Sequence, residues 1–219
     1  MRFFPLLVVG ALLSLAGCAP VMAPVAEAVR DESVTRVAFY GDSYTLGTGA
    51  SVPSVRWSSV ICAGRGWSEF NPSVNGLGFI NNRSTFGEGD LPSLVIADDP
   101  DIVFITMGLN DNFSFGRAAD RIRGQITADF ERLKTALPDA RFIVVEPFWY
   151  TDSRPPSVEV IIGWVRAAAA SIEADYIPGA SRWIEGHPEW MASDGVHPND
   201  VGYAEMAVRM DEELTKLGL

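Results

Sequence analysis

Apolar positions along this chain follow two alternating rhythms. Short, nearly continuous runs rich in β-branched and aromatic residues recur at Val34 to Tyr40, Ile102 to Met107 and Arg141 to Glu146. Between them, apolar side chains return every three or four residues, most clearly from Arg117 to Ala136, where Ile122, Ile126, Phe130 and Leu133, continued by Leu137, fall on one helical face. Pro53 to Ala63 closed by Gly64, Leu91 to Ile96, Ser157 to Ala174 and Pro198 to Leu217 read as further helices. Glu69 to Val74 and Tyr176-Ile177 read as shorter strands. Strands without a polar face belong to a sheet covered on both sides, and regular β/α alternation implies parallel strands joined by right-handed crossovers. The pattern predicts an α/β domain from residue 34 to 219: a three-layer α/β/α sandwich around a mostly parallel five-stranded sheet.

The first residues follow a different pattern. Arg2 precedes an apolar stretch, Phe3 to Leu13, which is too short to span a bilayer and has the form of a secretory signal. Its end, Leu15-Ala16-Gly17-Cys18, resembles the processing box of bacterial lipoproteins, in which the cysteine becomes an acylated N-terminus. The expectation is a signal peptide over 1–17, lipidation at Cys18 and a tether over 18–33 rich in Ala, Val and Pro. The domain would then be exported and lipid-anchored at the outer face of the cell membrane. An ordinary signal cut near Ala19 or Ala23 gives a secreted or periplasmic protein instead.

Composition narrows the function. Hydrophobic residues make up 47% and charged residues 21% of the 219, as in ordinary globular proteins. The net charge of −11, which loss of residues 1–17 makes more negative by removing Arg2, disfavours nucleic acid, whose phosphates call for clustered Lys and Arg. With Cys18 lipidated, Cys62 has no partner for an internal disulfide and reads as a buried, inert thiol. Two histidines and the absence of a paired-cysteine or His-Glu-x-x-His pattern give no reason to expect a metal or other cofactor.

Chemistry-bearing residues fall just after the expected strands. Gly41-Asp42-Ser43 follows the first, Asn75-Gly76-Leu77-Gly78 the second, Gly108-Leu109-Asn110-Asp111 the third and Pro147-Phe148-Trp149-Tyr150 the fourth, while Ser193-Asp194-Gly195-Val196-His197-Pro198 precedes the last helix. In a parallel sheet these loops share the rim at the strands' carboxyl ends, where ligands bind. Acyl transfer suits the residues gathered there. A serine hydroxyl needs a base, and His197 is the histidine with a carboxylate, Asp194, three residues upstream to fix its tautomer. Backbone N–H groups of Ser43 and Gly76 and the Asn110 amide would supply an oxyanion hole.

The four blocks together resemble the SGNH/GDSL hydrolase family. Gly41-Asp42-Ser43-Tyr44 resembles the first block with Tyr in place of the commoner Leu, Asn71-Pro72-Ser73-Val74-Asn75-Gly76 the second, Gly108-Leu109-Asn110-Asp111 the third and Asp194-Gly195-Val196-His197 the last. The resemblance spans Val34 to the C-terminus and implies a flavodoxin-like fold, a serine esterase acting through an acyl-enzyme, Ser43, Asp194 and His197 as catalytic residues, and Ser43, Gly76 and Asn110 as the oxyanion hole, the spacing from Asn71 within the second block putting the glycine at Gly76 with Gly78 as its rival. The Tyr44 replacement is expected to leave the chemistry intact. No Gly-x-Ser-x-Gly elbow points to the α/β-hydrolase fold.

The remaining residues refine this picture. Asp42 and Asp111 read as braces of loop backbone, and His187, before Pro188, as a surface or capping residue. Asp42, Gly78, Trp149 and Tyr150 are the candidate pocket positions. Expected substrates are small-molecule or glycan esters with short acyl groups, because no long lid insertion is evident. Two other readings keep the fold: an O-acyltransferase using the same site, and a non-catalytic lipoprotein binding module.

Overall fold

Five strands are formed at the expected places, and all of them pair in parallel. A computed structural model describes residues 32–86 and 89–219; the expected signal peptide, Cys18 and residues 18–31 of the expected tether lie outside the described residues. The strands β1 (Arg36–Tyr40), β2 (Ser68–Phe70), β3 (Ile102–Ile105), β4 (Arg141–Val145) and β5 (Asp175–Ile177) pair in the order β2-β1-β3-β4-β5. This is the flavodoxin-like order, and its direction of growth reverses between β1 and β3.

Side chains alternate across the sheet because successive residues of a strand face opposite ways. Val37, Phe39, Ile102, Phe104, Ile143 and Val145 point into one core, which they share with α2 (Trp57–Arg65) and α6 (Asp200–Lys216). Ala38, Tyr40, Val103, Ile105, Phe142 and Val144 point into the other, against α3 (Leu91–Asp98), α4 (Phe115–Ala136) and α5 (Pro156–Ser171). The three central strands are buried on both faces, so the unbroken apolar runs are accounted for.

Local chemistry sets the element ends. The helix expected to stop at Gly64 continues through it and ends at Gly66, whose φ of 67° allows the Trp67 N–H to reach back to Cys62 O at 2.8 Å. Its expected first turn, Pro53–Val55, is a separate 3-10 turn, because Arg56 is extended. The strand expected over Glu69 to Val74 stops at Phe70: Asn71 turns the chain by accepting from Ser73 N at 3.2 Å, and Pro72 offers no N–H to a ladder. The helix expected through Ala174 ends at Ser171, and Glu173 follows in a left-handed conformation with φ of 57°. A one-turn helix absent from the expectations, α1 (Ser43–Leu46), opens directly behind β1.

Candidate active site

Strand β1 delivers Ser43 to the rim as the first residue of α1. Asp42 caps that turn by accepting from Tyr44 N at 3.0 Å. A β-carbon on Gly41 would come within 2.6 Å of Thr106 Oγ1 and of the Thr45 side chain, so glycine is required there by the close approach of the chain after β3. The Ser43 side chain is nearly buried at 4% exposure. As the first helical residue its N–H has no intrahelical acceptor, and it bonds to none of the described residues.

The loop after β2 is tied to this turn. Asn71 Nδ2 donates to Thr45 O at 2.8 Å, and Val74 N donates to Gly41 O at 3.3 Å. Further along, the two rival glycines separate. Gly78 N donates to Asn81 O at 2.9 Å, so that N–H is engaged. Gly76, at φ of 68°, has an N–H with no acceptor among the described residues. Asn110 Nδ2 donates to Leu77 O at 2.9 Å and more weakly to Asp42 Oδ2 at 3.3 Å, linking the first, second and third blocks around one point. Asp111 holds the same loop from below, accepting from Phe79 N at 2.7 Å, Ile80 N at 2.9 Å and Asn81 N at 3.1 Å.

The fourth block is a tight loop pinned to the start of α6. Asn199 caps that helix through Val201 N and Gly202 N, and its amide donates to Glu189 O and Met191 O. Within the loop, Asp194 Oδ1 accepts from Val196 N at 2.9 Å and His197 N at 3.0 Å, while Oδ2 lies 2.7 Å from His197 Nδ1. That contact leaves Nε2 as the free nitrogen of the ring. Tyr44 packs against the imidazole with ring centroids 6.0 Å apart and donates its hydroxyl to Val196 O at 2.6 Å. No hydrogen bond joins Ser43 Oγ to His197 among the described residues; such contacts commonly tighten only when substrate is bound.

The carboxylates of the site sit in different environments. Asp194 is half exposed, and its bonds to the His197 ring and to the His197 and Val196 backbone hold its pKa down at about 2. Asp42 is sealed in, and burial pushes it up to about 7, aided by the nearby Asp111 charge and opposed by the bond from Tyr44 N. Burial also raises Asp111 against the pull of its three backbone donors.

Of the four expected pocket positions, Tyr150 lines a cavity, a cleft of about 370 Å³ shared with Asp152, His187, Met191, Ser193 and Gly195. The other three do not line that cleft. Trp149 is 3% exposed in the core beneath, its Nε1 bonded to Thr151 Oγ1; Asp42 is 1% exposed; and Gly78 is closed off by Asp111, which leaves no room for even a β-carbon. His187 lies on the surface, stacked 3.5 Å from Trp190 and bonded to Glu189. Cys62 is buried, and burial raises its thiol to about 12. Among the described residues no group of three or more His, Cys, Asp or Glu side chains is placed to hold a metal ion. The contribution of Tyr44 was not foreseen; its polar tip beside Ser43 was the available signal.

The sequence profile of the GDSL-like lipase/acylhydrolase family matches residues 39–205, from the end of β1 into α6. The chain belongs to that family. It is a carboxylic ester hydrolase of the SGNH type. It is 27% identical over 212 residues to a GDSL lipase of Mycobacterium tuberculosis, covering 92% of this chain and 89% of that one. The psychrotrophic esterase EstA of a Pseudoalteromonas species shares its fold, with a TM-score of 0.65 at 16% identity over 84% of this chain and 98% of that one. So does a family two carbohydrate esterase from Cellvibrio japonicus, with a TM-score of 0.65 at 15% identity over 83% of this chain and 61% of that one. Within the SGNH architecture, Ser43 and Asn110 follow β1 and β3, the strands between which the sheet's order reverses.

Proposed function

We propose that this hydrolase works by serine nucleophilic catalysis. The observation that carries the reading is the Asp194–His197 pair, 2.7 Å apart, on a loop held by the residue next to Ser43. Ser43 Oγ attacks the ester carbonyl carbon as His197 Nε2 takes its proton, and Asp194 stabilises the imidazolium. The carbonyl oxygen gathers negative charge and is met by the N–H groups of Ser43 and Gly76. Asn110 Nδ2 adds a third donor by giving up its weaker, 3.3 Å bond to Asp42. Collapse expels the alcohol, which takes the proton from His197. A water activated by the same imidazole then attacks the acyl-serine, releasing the acid and restoring Ser43.

The substrates we infer are esters of short acyl groups, acetyl among them, on small alcohols or glycans. The cleft beside the His197 loop supports this, because its walls mix an aromatic ring with a carboxylate, an imidazole and a hydroxyl, a lining suited to a polyhydroxylated alcohol. The fold it shares with a carbohydrate esterase is compatible with such a substrate. The Leu15-Ala16-Gly17-Cys18 box supports export and anchoring through lipid at Cys18, on the outer face of a bacterial membrane. Acetate release from acetylated glycans by the wild type but not by Ser43→Ala is the expected result; equal release by both would sink the mechanism. A panel of esters varied in acyl and alcohol length then sets the substrate class.

A further inference from the structure

Tyr44 stands where the family's first block commonly has an aliphatic residue, and its side chain does what an aliphatic one cannot. It leaves α1 beside Ser43 and crosses to the fourth block, fully buried. Its ring stacks on Phe148, with centroids 5.6 Å apart and planes inclined by 17°, and Trp57 packs edge-on against the same Phe148. Its other neighbour is the His197 imidazole, 6.0 Å away and tilted by 48°. The phenol donates to Val196 O at 2.6 Å.

That carbonyl belongs to the peptide unit joining Val196 to His197. The N–H of the same unit is His197 N, which donates to Asp194 Oδ1 at 3.0 Å. One amide plane is therefore pinned at both edges, by Tyr44 at its oxygen and by Asp194 at its nitrogen. The base's α-carbon hangs from that plane, and Asp194 Oδ2 holds the ring that follows. Tyr44 is also joined by one peptide bond to Ser43, with its own N–H fixed by Asp42.

We propose that Tyr44 is a positioning residue that sets the placement of His197 relative to Ser43, through its hydroxyl to the Val196 carbonyl and its ring against the imidazole. The inference rests on the serine-esterase reading above. The phenol stays protonated across the working range because burial raises its pKa, so the bond to Val196 is not itself titrated away. A misplaced general base lowers the rate of proton transfer while leaving substrate binding alone, and displacements near 1 Å can cost about 10²-fold.

The test compares Tyr44→Phe, Tyr44→Leu and Tyr203→Phe in the full chain, with p-nitrophenyl acetate as substrate and a fluorophosphonate to titrate active sites. Tyr203 is the matched control: its buried hydroxyl donates to Thr48 O at 2.7 Å, with no bond to the His197 loop. Folding is checked by circular dichroism, and rates are taken well below each variant's melting temperature. For Tyr44→Phe, kcat per titrated site is expected to fall roughly 10- to 100-fold with KM within about twofold of wild type. Tyr44→Leu is expected to lose at least as much, and Tyr203→Phe to keep its kcat. Tyr44→Phe turning over within twofold of wild type per site, or losing only KM or the titratable fraction, overturns the proposal. Equal losses in Tyr203→Phe do so as well, since the effect would then be general loosening. Should Tyr44→Phe fail to fold, Tyr44→Leu carries the same comparison. Full activity in Ser43→Ala removes the serine-nucleophile reading and the role of Tyr44 with it, whereas an inactive Ser43→Ala beside a fully active Tyr44→Phe removes the role of Tyr44 alone.

Discussion

Asp111 lies so close to Gly78 that a β-carbon on residue 78 would stand 2.6 Å from Asp111 Oδ2. The closeness has a purpose, because the carboxylate gathers the backbone N–H groups of Phe79, Ile80 and Asn81, directly after the glycine-bearing loop. Asp111, the residue after Asn110, is thus a brace for the chain that follows the second block. Asp111→Ala strands three donors at once and is expected to cost about 2–4 kcal/mol of stability. A urea unfolding midpoint compared with wild type reads this. A midpoint shift equivalent to under about 1 kcal/mol would mean that water replaces the carboxylate freely.

Gly202 shows how the last helix holds the fourth block. A β-carbon there would meet Trp190 O at 2.4 Å, and Trp190 O also accepts from Asn199 N at 2.8 Å. The obstacle is backbone, so Gly202→Ala must push the segment from Trp190 toward His197 away from α6. The expected cost is about 1–3 kcal/mol in stability, with kcat falling by more than that loss of folded protein explains. Thermal melts beside kcat per titrated site separate the two effects, and unchanged turnover per site would mean that the loop moves without carrying His197.

Much of this was legible in the residues because the same physics acts locally and globally. The apolar runs of β1, β3 and β4 marked strands covered on both faces, and the spacing of Ile122, Ile126, Phe130 and Leu133 marked α4. The order of Ser43, Asn110 and His197 placed them on one rim once the sheet was parallel. What was not legible depended on contacts across the fold. Gly64 and Gly66 are equivalent as helix stops until one of them adopts a left-handed turn. Gly76 is the expected oxyanion glycine, but Gly78 stays its rival until Asn81 O engages the Gly78 N–H. Trp149 was expected to line a pocket because it follows a strand, yet its neighbour Tyr150 faces the cleft and Trp149 lies inward. Tyr44 passed as a neutral replacement because its acceptor, Val196 O, is 152 residues away.

Asp42 gives the protein a distinctive response to pH. Burial raises its pKa in the folded protein to about 7 from an ordinary 3.8. The folded state therefore holds this proton more tightly than the unfolded one. Its contribution to stability is complete below about pH 4 and is lost as pH rises through 7. Asp42→Asn stays neutral throughout, so its stability relative to wild type is expected to climb between pH 4 and 8. The climb is a few kcal/mol, at about 1.4 kcal/mol per pKa unit. Asp194, held low at about 2, acts in the opposite sense and only at the acid end. It is common to both proteins and drops out of the difference. Parallel stability curves for the two proteins across this range would show that Asp42 is not a buried acid.

Asn110 is the clearest probe of the proposed oxyanion hole, since its side chain is the one proposed donor that mutation can remove without rebuilding a backbone turn. Its amide is placed before substrate arrives: Leu77 O anchors one hydrogen at 2.9 Å, and the other is directed toward Asp42 at 3.3 Å, longer than a strong bond to a carboxylate. A group so anchored needs little reorganisation to meet charge on a carbonyl oxygen, which is where such donors gain most. Asn110→Ala is therefore expected to lower kcat by about 10²–10³-fold with KM little changed, because the bond strengthens only as the oxyanion forms. Asn110→Asp keeps the shape but brings a carboxylate to the same point, and is expected to lose more. Steady-state kinetics on one short-chain ester, normalised to titrated sites, ranks the three proteins. A drop confined to KM in Asn110→Ala would assign the amide to substrate binding instead, and would leave the oxyanion to the N–H groups of Ser43 and Gly76.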